Sequence, residues 1–487
     1  MQQFSRFSEY CSTDLSWLPL MPGHWQRVRL KQVAIIQAGV TLGKVYDSIL
    51  ETRHYLRVAN VQSGFLDLKH VKTIDVPRSE ALKCELQPND VVITEGGDID
   101  KLGRGAIWQG QIDGCIHQNH IFAVRPNIEA LTPQFLAYLL ESPHGRTYFR
   151  ITAKQTTNLA ATNRSTLGRF PLFLPPRPEQ DQIVAYLRAQ DAHIARFIKA
   201  KRELIKLLTE QKLRIIDHAV TRGLDASVAM KPSGIEWLGE VPEHWEVSRL
   251  GACIWTNRAG VWGADPSDKN LSDQLVCVRV ADFDMEKLAV GTSKLTIRAV
   301  SQSERSGRLL CSGDILLEKS GGGEKTPVGR VVAFTLDKVS VCSNFLARLV
   351  PNTKIVRSGF LLTVMNHLHA RRIVIPYVKQ TTGIQNLDSN AYFKLGIALP
   401  SLNEQDEILS ALKEHCKPID EAIERANEEI KLIREYRDRL IADVVTGQVD
   451  VRGWQPGPDD AVSDDDLAAL GDDEAEPVEE DADGEGN

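Results

Sequence analysis

At 487 residues the chain is too long for one ordinary core and suits two to three domains. Forty-two per cent apolar and 25% charged residues are the proportions of a globular protein, which excludes a disordered or membrane-embedded body. The formal net charge of −7 hides a division: residues 455–487 hold fourteen acidic and no basic side chains, leaving 58 basic against 51 acidic elsewhere, a net +7. A body of that charge permits nucleic-acid binding without demonstrating it.

The opening stretch, MQQFSRFSEYCSTDLSW, has no basic start followed by an apolar core, so a cytoplasmic protein is expected. From Trp17 the chain reads WLPLMPGHWQRVRL, and from Trp237 it reads WLGEVPEHWEVSRL, with Trp, Leu, Pro, His, Trp, Arg and Leu in register. LRVANV from Leu56 returns as VRVADF from Val278, and the stretch around Asp90 returns around Asp314. A self-similarity of this period decides the architecture, and it predicts two copies of one unit with insertions confined to loops.

Each copy begins with short β-rich runs such as DVVIT, IFAVRP, DILLE and GRVVAF, punctuated by Gly, Pro, Asn and Asp. A short helix follows, TPQFLAYLLES or SGFLLTVMNHL, then the tetrapeptide KQTT at Lys154 and again at Lys379. Next comes a strand ended by proline, FPLFLPP or LGIALPS, which opens a long helix.

In the second long helix Leu412, Ile419, Ala426, Ile433 and Leu440, with Cys416, Ile423, Ile430, Arg437 and Val444, form a seam with nine of ten positions apolar. In the first, Leu187, Ile194, Lys201, Leu208 and Ile215, with Asp191, Ile198, Ile205, Lys212 and Ala219, give seven of ten. Both end at a glycine, in AVTRG and VVTGQ. A coiled coil between chains is the competing reading; matched phase within one chain favours an intramolecular pair. The expected fold is therefore α+β: two similar globular domains held apart by two long coiled-coil helices that pack on each other, an internal duplication.

Catalytic patterns are missing. Cys11, Cys84, Cys115, Cys253, Cys277, Cys311, Cys342 and Cys416 are scattered without zinc spacing and read as reduced thiols. SGGGEKTP from Ser320 fails the spacing of a phosphate loop. His117 with His120, and His367 with His369, lack the H-E-x-x-H form and read as structural histidines. The one Pro-Pro, at Pro175-Pro176, has no flanking aromatic residue of the kind an amino-methyltransferase loop requires.

What remains points to recognition. The glycine-rich loops Glu95 to Ala106 and Glu318 to Arg330 place Lys101, Arg104, Lys319, Lys325 and Arg330 on backbone that a partner can approach closely. The KQTT loops add Lys154, Gln155, Thr156 and Thr157 in one copy and Lys379, Gln380, Thr381 and Thr382 in the other. Such cations, amides and hydroxyls donate to phosphate oxygens or read base edges.

SGIEWLGEVPEHWEVSRL between the halves, the joints FPLFLPPRPEQDQIVAYL and LGIALPSLNEQDEILSAL, and AVTRGLD after the first helix resemble the specificity subunit of type I restriction-modification systems. The resemblance runs to about residue 452 and leaves the acidic tail outside it. It implies target-recognition domains at 1–177 and 237–402, separated by two antiparallel spacer helices at 178–222 and 403–447 with pseudo-twofold symmetry, and a linker at 223–236; the acidic, weakly apolar composition that follows predicts by itself a disordered tail at 448–487. It also implies a non-catalytic chain that reads a bipartite site in double-stranded DNA, one domain per half-site. Two modification subunits would dock on the helices, bind S-adenosylmethionine and methylate adenine. A restriction subunit using ATP and magnesium can join them, and this chain itself would bind no cofactor or metal. Two other readings stay open: an adaptor whose repeats bind proteins, without sequence-dependent DNA affinity, and a self-sufficient enzyme with an unfamiliar site, active when purified alone.

Overall fold

The computed structural model describes the chain apart from residues 1–5, 98, 100–101, 156–159, 268–272, 324–325, 382–383, 464–465, 468–469 and 472–487, and gives only the backbone at Gln155 and Thr381. The chain divides into two compact units: Met1–Glu203 with Ala426–Asn487, and Leu204–Arg425.

In the first unit a four-stranded antiparallel sheet runs in the order Ala34–Ala38, Ile121–Pro126, Val91–Thr94, Gly105–Ile107. In the second unit the order Ile254–Ala259, Leu346–Pro351, Ile315–Glu318, Val331–Ala333 repeats it, extended by Ala289–Val290 and Phe283–Asp284. The expected duplication is thus present strand for strand. Even the buried charge recurs: Asp90 holds Arg125 through two bonds of 2.7 Å, and Asp314 holds Arg348 at 2.6 and 3.3 Å. Each aspartate also accepts the backbone N–H of the residue three before it, Gln87 or Cys311, closing the turn into the buried strand.

A second antiparallel pair ties the start of each unit to its exit. Gln26–Arg29 pairs with Pro171–Leu174, and Glu246–Arg249 pairs with Gly396–Leu399. The exit strand delivers the chain into a long helix, Arg177–Arg222 or Leu402–Val445. Gln180 explains the joint: its amide donates to the carbonyls of Ala130 and Pro175 and accepts from Thr132 N–H. Gln405 does the same with Ile355, Pro400 and Arg357. Both glutamines are fully buried, so each satisfies backbone groups that would otherwise be stranded at the helix entry. Gly223 and Gly447 end the helices with φ of +78° and +71°, the left-handed conformation that glycine adopts without strain.

Within each unit the two long helices run antiparallel. The three breaks in the first seam all meet an opposite charge: Asp191 meets Arg437 at 2.7 Å, Lys201 meets Glu429, and Lys212 meets Asp420 at 2.5 Å. Elsewhere the seam is apolar. In the first unit Ile183, Tyr186, Leu187, Ile441, Val444 and Val445 join a core built around Trp25, Phe135 and Phe173. In the second, Ala219, Val220, Ile408, Leu412 and Cys416 join Trp245, Phe360 and Tyr392.

Two stretches differ from expectation. Residues 223–236, read as a linker, contain the strand Met230–Pro232, which pairs with Glu240–Pro242 as Tyr10–Leu15 pairs with Leu18–Pro22. Residues 448–463, read as the start of a disordered tail, pack on the first unit. Val451 and Trp454 are buried, Trp454 meets the Tyr186 ring edge-on at 5.5 Å, and its carbonyl accepts from Gln182 at 2.6 Å. Two apolar side chains suffice to hold this segment, although the surrounding composition is acidic. Beyond them, Asp460 bonds His193 at 2.7 Å, and Arg196 donates to the carbonyls of Asp459 and Ala461. Among the described residues no helix is long and apolar enough to cross a membrane.

Candidate nucleic-acid interface

The KQTT segments and the glycine-rich segments, 57 to 58 residues apart in sequence, are brought into one small sheet in each unit. In the first unit Lys154–Gln155 pairs with Ala160–Ala161, which pairs with Gly96–Gly97. In the second, Val378–Thr381 pairs with Ile384–Leu387, which pairs with Ser320–Gly321. The registers coincide: Lys154, Ala161 and Gly96 form one row, and Lys379, Asn386 and Ser320 form its counterpart. Gly97 and Gly321 have φ of +143° and +111°, a backbone region closed to other residues at ordinary cost, so the turn off the main sheet requires glycine there.

Lys154, Lys379 and Gln380 are exposed on these sheets, and Lys319 is half-buried at the edge of its own. Lys379 Nζ lies 2.7 Å from Asp388, and that contact is the main cause holding the Asp388 carboxyl below its usual range. Arg104 is half-buried and lines a cleft in the first unit with Gly103, Arg146 and Asp438. Arg330 is engaged internally: its guanidinium makes two bonds, 2.8 and 2.9 Å, to the fully buried Glu318, which raises its pKa and fastens the strand before the glycine turn. Lys101, Thr156, Thr157, Lys325 and Thr382 lie outside the described residues, as do the side chains of Gln155 and Thr381.

Three of the four histidines expected to be structural are enclosed. His117 is fully buried with Nδ1 2.9 Å from the Ile121 carbonyl, His367 is buried, and His369 Nε2 lies 2.9 Å from the Pro327 carbonyl. His120 departs from that expectation. It stands in solvent at the edge of the small sheet, 3.2 Å from Glu95. It is left largely exposed because it lies in the turn that leads into the main-sheet strand Ile121–Pro126 instead of within a strand. In the repeat His120 aligns with Phe345, which is also exposed while the neighbouring Ile121 and Leu346 are both buried, and an aligned phenylalanine carries no signal of exposure in the sequence itself.

All eight cysteines are free, and burial pushes Cys115 and Cys342 up to about 12 and Cys253 and Cys277 up to about 11, far from reactive thiolates. Among the described residues no group of three His, Cys, Asp or Glu is placed to hold a metal ion.

No protein-family model matches the chain. It is 23% identical over 453 residues to the putative type I restriction enzyme MjaX specificity subunit of Methanocaldococcus jannaschii, covering 92% of this chain and 99% of that one. It is 21% identical over 441 residues to the MjaVIII specificity subunit of the same organism, covering 89% and 94%. Its fold matches a chain solved for the complex assembly and conformational transition of the type I R-M system, with a TM-score of 0.60 and 17% identity over 88% of this chain and 99% of that one. Along nearly its whole length, both copies of its repeat included, the chain is a relative of type I restriction enzyme specificity subunits.

Proposed function

We propose that this chain is the DNA-recognition subunit of a type I restriction-modification complex, with each unit reading one half of a bipartite site. The observation that carries this reading is the small three-stranded sheet repeated in identical register, which in each unit joins a Lys-Gln strand to a glycine strand. Exposed lysines suit phosphate contact, exposed glutamine suits an adenine edge, and the glycine of the third strand, Gly97 or Gly321, lets backbone approach the duplex. In this reading Arg104, Lys154, Gln155, Lys319, Lys379 and Gln380 face DNA. Lys101, Thr156, Thr157, Lys325, Thr381 and Thr382 belong to the same segments, and Arg330 positions its strand through Glu318.

The chain has no catalytic role of its own in this account, and the complex works in the cytoplasm. Methyl transfer to adenine belongs to two modification subunits carrying S-adenosylmethionine, docked on the long helices. A restriction subunit, where present, supplies the ATP- and magnesium-dependent step.

The test is DNA binding by the complex co-purified with its modification subunits, at several salt concentrations. Lys154→Ala and Lys379→Ala should each weaken binding to all sequences and flatten the salt dependence by about one counterion. Gln380→Ala should relax discrimination at one base position. Sequence-independent binding by the wild-type complex would contradict the reading.

A further inference from the structure

The residue that leads from the main sheet into the small sheet is held alike in both units but differs in chemistry. In the first unit Glu95 N–H donates to the His120 carbonyl at 2.9 Å, and the Glu95 carbonyl accepts from Thr162 N–H at 2.8 Å. In the second, Lys319 N–H donates to the Phe345 carbonyl at 2.9 Å, and the Lys319 carbonyl accepts from Leu387 N–H at 2.8 Å. The backbone frame is the same; the residues it joins are Glu95 and His120, whose side chains meet at 3.2 Å, in one unit and Lys319 and Phe345 in the other.

Neither pair is explained by the cores. The His120 side chain is 63% exposed, and Phe345 is 44% exposed although Leu346 next to it is fully buried. An exposed phenyl group at a fixed position costs solvation, which a binding partner would offset. Glu95 and Lys319 sit one residue before the row that contains Lys154 or Lys379. Two strand spacings, about 10 Å, therefore separate this position from that lysine, or about three base-pair rises.

We infer that the pairs Glu95–His120 and Lys319–Phe345 are the side chains through which one scaffold reads different bases in the two half-sites. This rests on the DNA-recognition reading above. A carboxylate accepts from the N4 amino group of cytosine, while a lysine donates to O6 and N7 of guanine and a phenyl ring packs on the methyl group of thymine. The first half-site accordingly contains a cytosine read by Glu95, oriented by His120. The second contains a guanine read by Lys319 with a thymine methyl against Phe345. Opposite charge at one equivalent position also prevents either unit from binding the other's half-site well, since an unmatched carboxylate faces a base acceptor.

The experiment uses the complex with its modification subunits and duplexes carrying the wild-type methylated site and each single-base substitution of it. Lys319→Gln and Phe345→Ala should each lose about 5- to 150-fold of discrimination at one position of one half-site, leaving the other half unchanged. Glu95→Gln should do so in the opposite half, and Lys319→Glu should change the preferred letter. If the wild-type complex discriminates its site but all four variants keep the same letters, the inference is overturned while the recognition function stands. A uniform loss across every sequence with Lys319→Gln would assign it to phosphate and overturn the base contact. A wild-type complex without sequence discrimination would overturn both.

Discussion

The indole Nε1 of Trp25 donates to Glu179 Oε1 at 2.9 Å, joining the start of the first unit to the first turn of its long helix 154 residues later. Glu179 Oε2 meets His24 at 2.8 Å, and in the second unit Trp245 and His244 meet Glu404 at 2.8 and 3.1 Å. The repeated His-Trp and Glu-Gln dipeptides are therefore two sides of one latch. Trp25 is buried, so Glu179→Ala strands its N–H and should cost about 1–3 kcal/mol. Glu179→Gln keeps an acceptor for the indole and should cost less. Urea unfolding, with hydrogen exchange of the first unit, checks both, and Glu404→Ala should act on the second unit in the same way.

This latch shows why much of the fold is legible from the amino-acid sequence. Trp25, His24, Glu179 and Gln180 recur at nearly constant offsets because the helix entry they build is the same in both units. The heptads likewise announce a helix pair. The pairing of the seam's exceptions is not legible, because Asp191 finds Arg437 only once antiparallel register is set. The small sheet is hidden for a related reason. Strands as short as Gly96–Gly97 and Lys154–Gln155 show no periodicity, and their partner strand, Ala160–Ala161, is equally short. Trp454 was obscured differently, since acidic composition averaged over the tail outweighs two apolar residues that nonetheless decide where the chain lies.

Arg437 lies between Asp191 and Glu141, bonding the first at 2.7 and 3.1 Å and the second at 2.6 Å. Burial opposes its charge, but the two carboxylates outweigh that and hold its pKa well above the usual value. Arg437→Met leaves Asp191 buried with no cation and should cost about 3–5 kcal/mol. Adding Asp191→Leu should recover part of that loss. Thermal unfolding of the single and double variants measures the coupling, and a double variant as damaged as the simple sum would deny it.

His117 gives a pH dependence with a definite sign. Burial is the chief cause that brings its imidazole down to about 4, against about 6.5 in an unfolded chain. Because the folded value is depressed, the contribution is complete above the unfolded pKa and is lost as pH falls from about 6.5 towards 4. At pH 5 the loss should be about 2 kcal/mol. His117→Gln should be less stable than wild type at pH 7 yet lose less between pH 7 and pH 5, as read from urea midpoints.

Truncation should divide the C-terminal segment in two. Ending the chain at residue 453 removes Trp454 from its place against Tyr186 and should cost about 3–5 kcal/mol of first-unit stability. Ending it at residue 471 removes nine acidic residues while keeping the described contacts. DNA recognition should then be unchanged, with any gain in affinity screened away by added salt. Unfolding and binding curves of both truncations distinguish the roles.

The central claim is that each unit independently reads half of one DNA site, and methylome sequencing after exchange of residues 237–402 for those of a relative tests it most directly. The account predicts that one half of the methylated motif changes while the other half keeps its letters. A motif altered in both halves, or in neither, would contradict it.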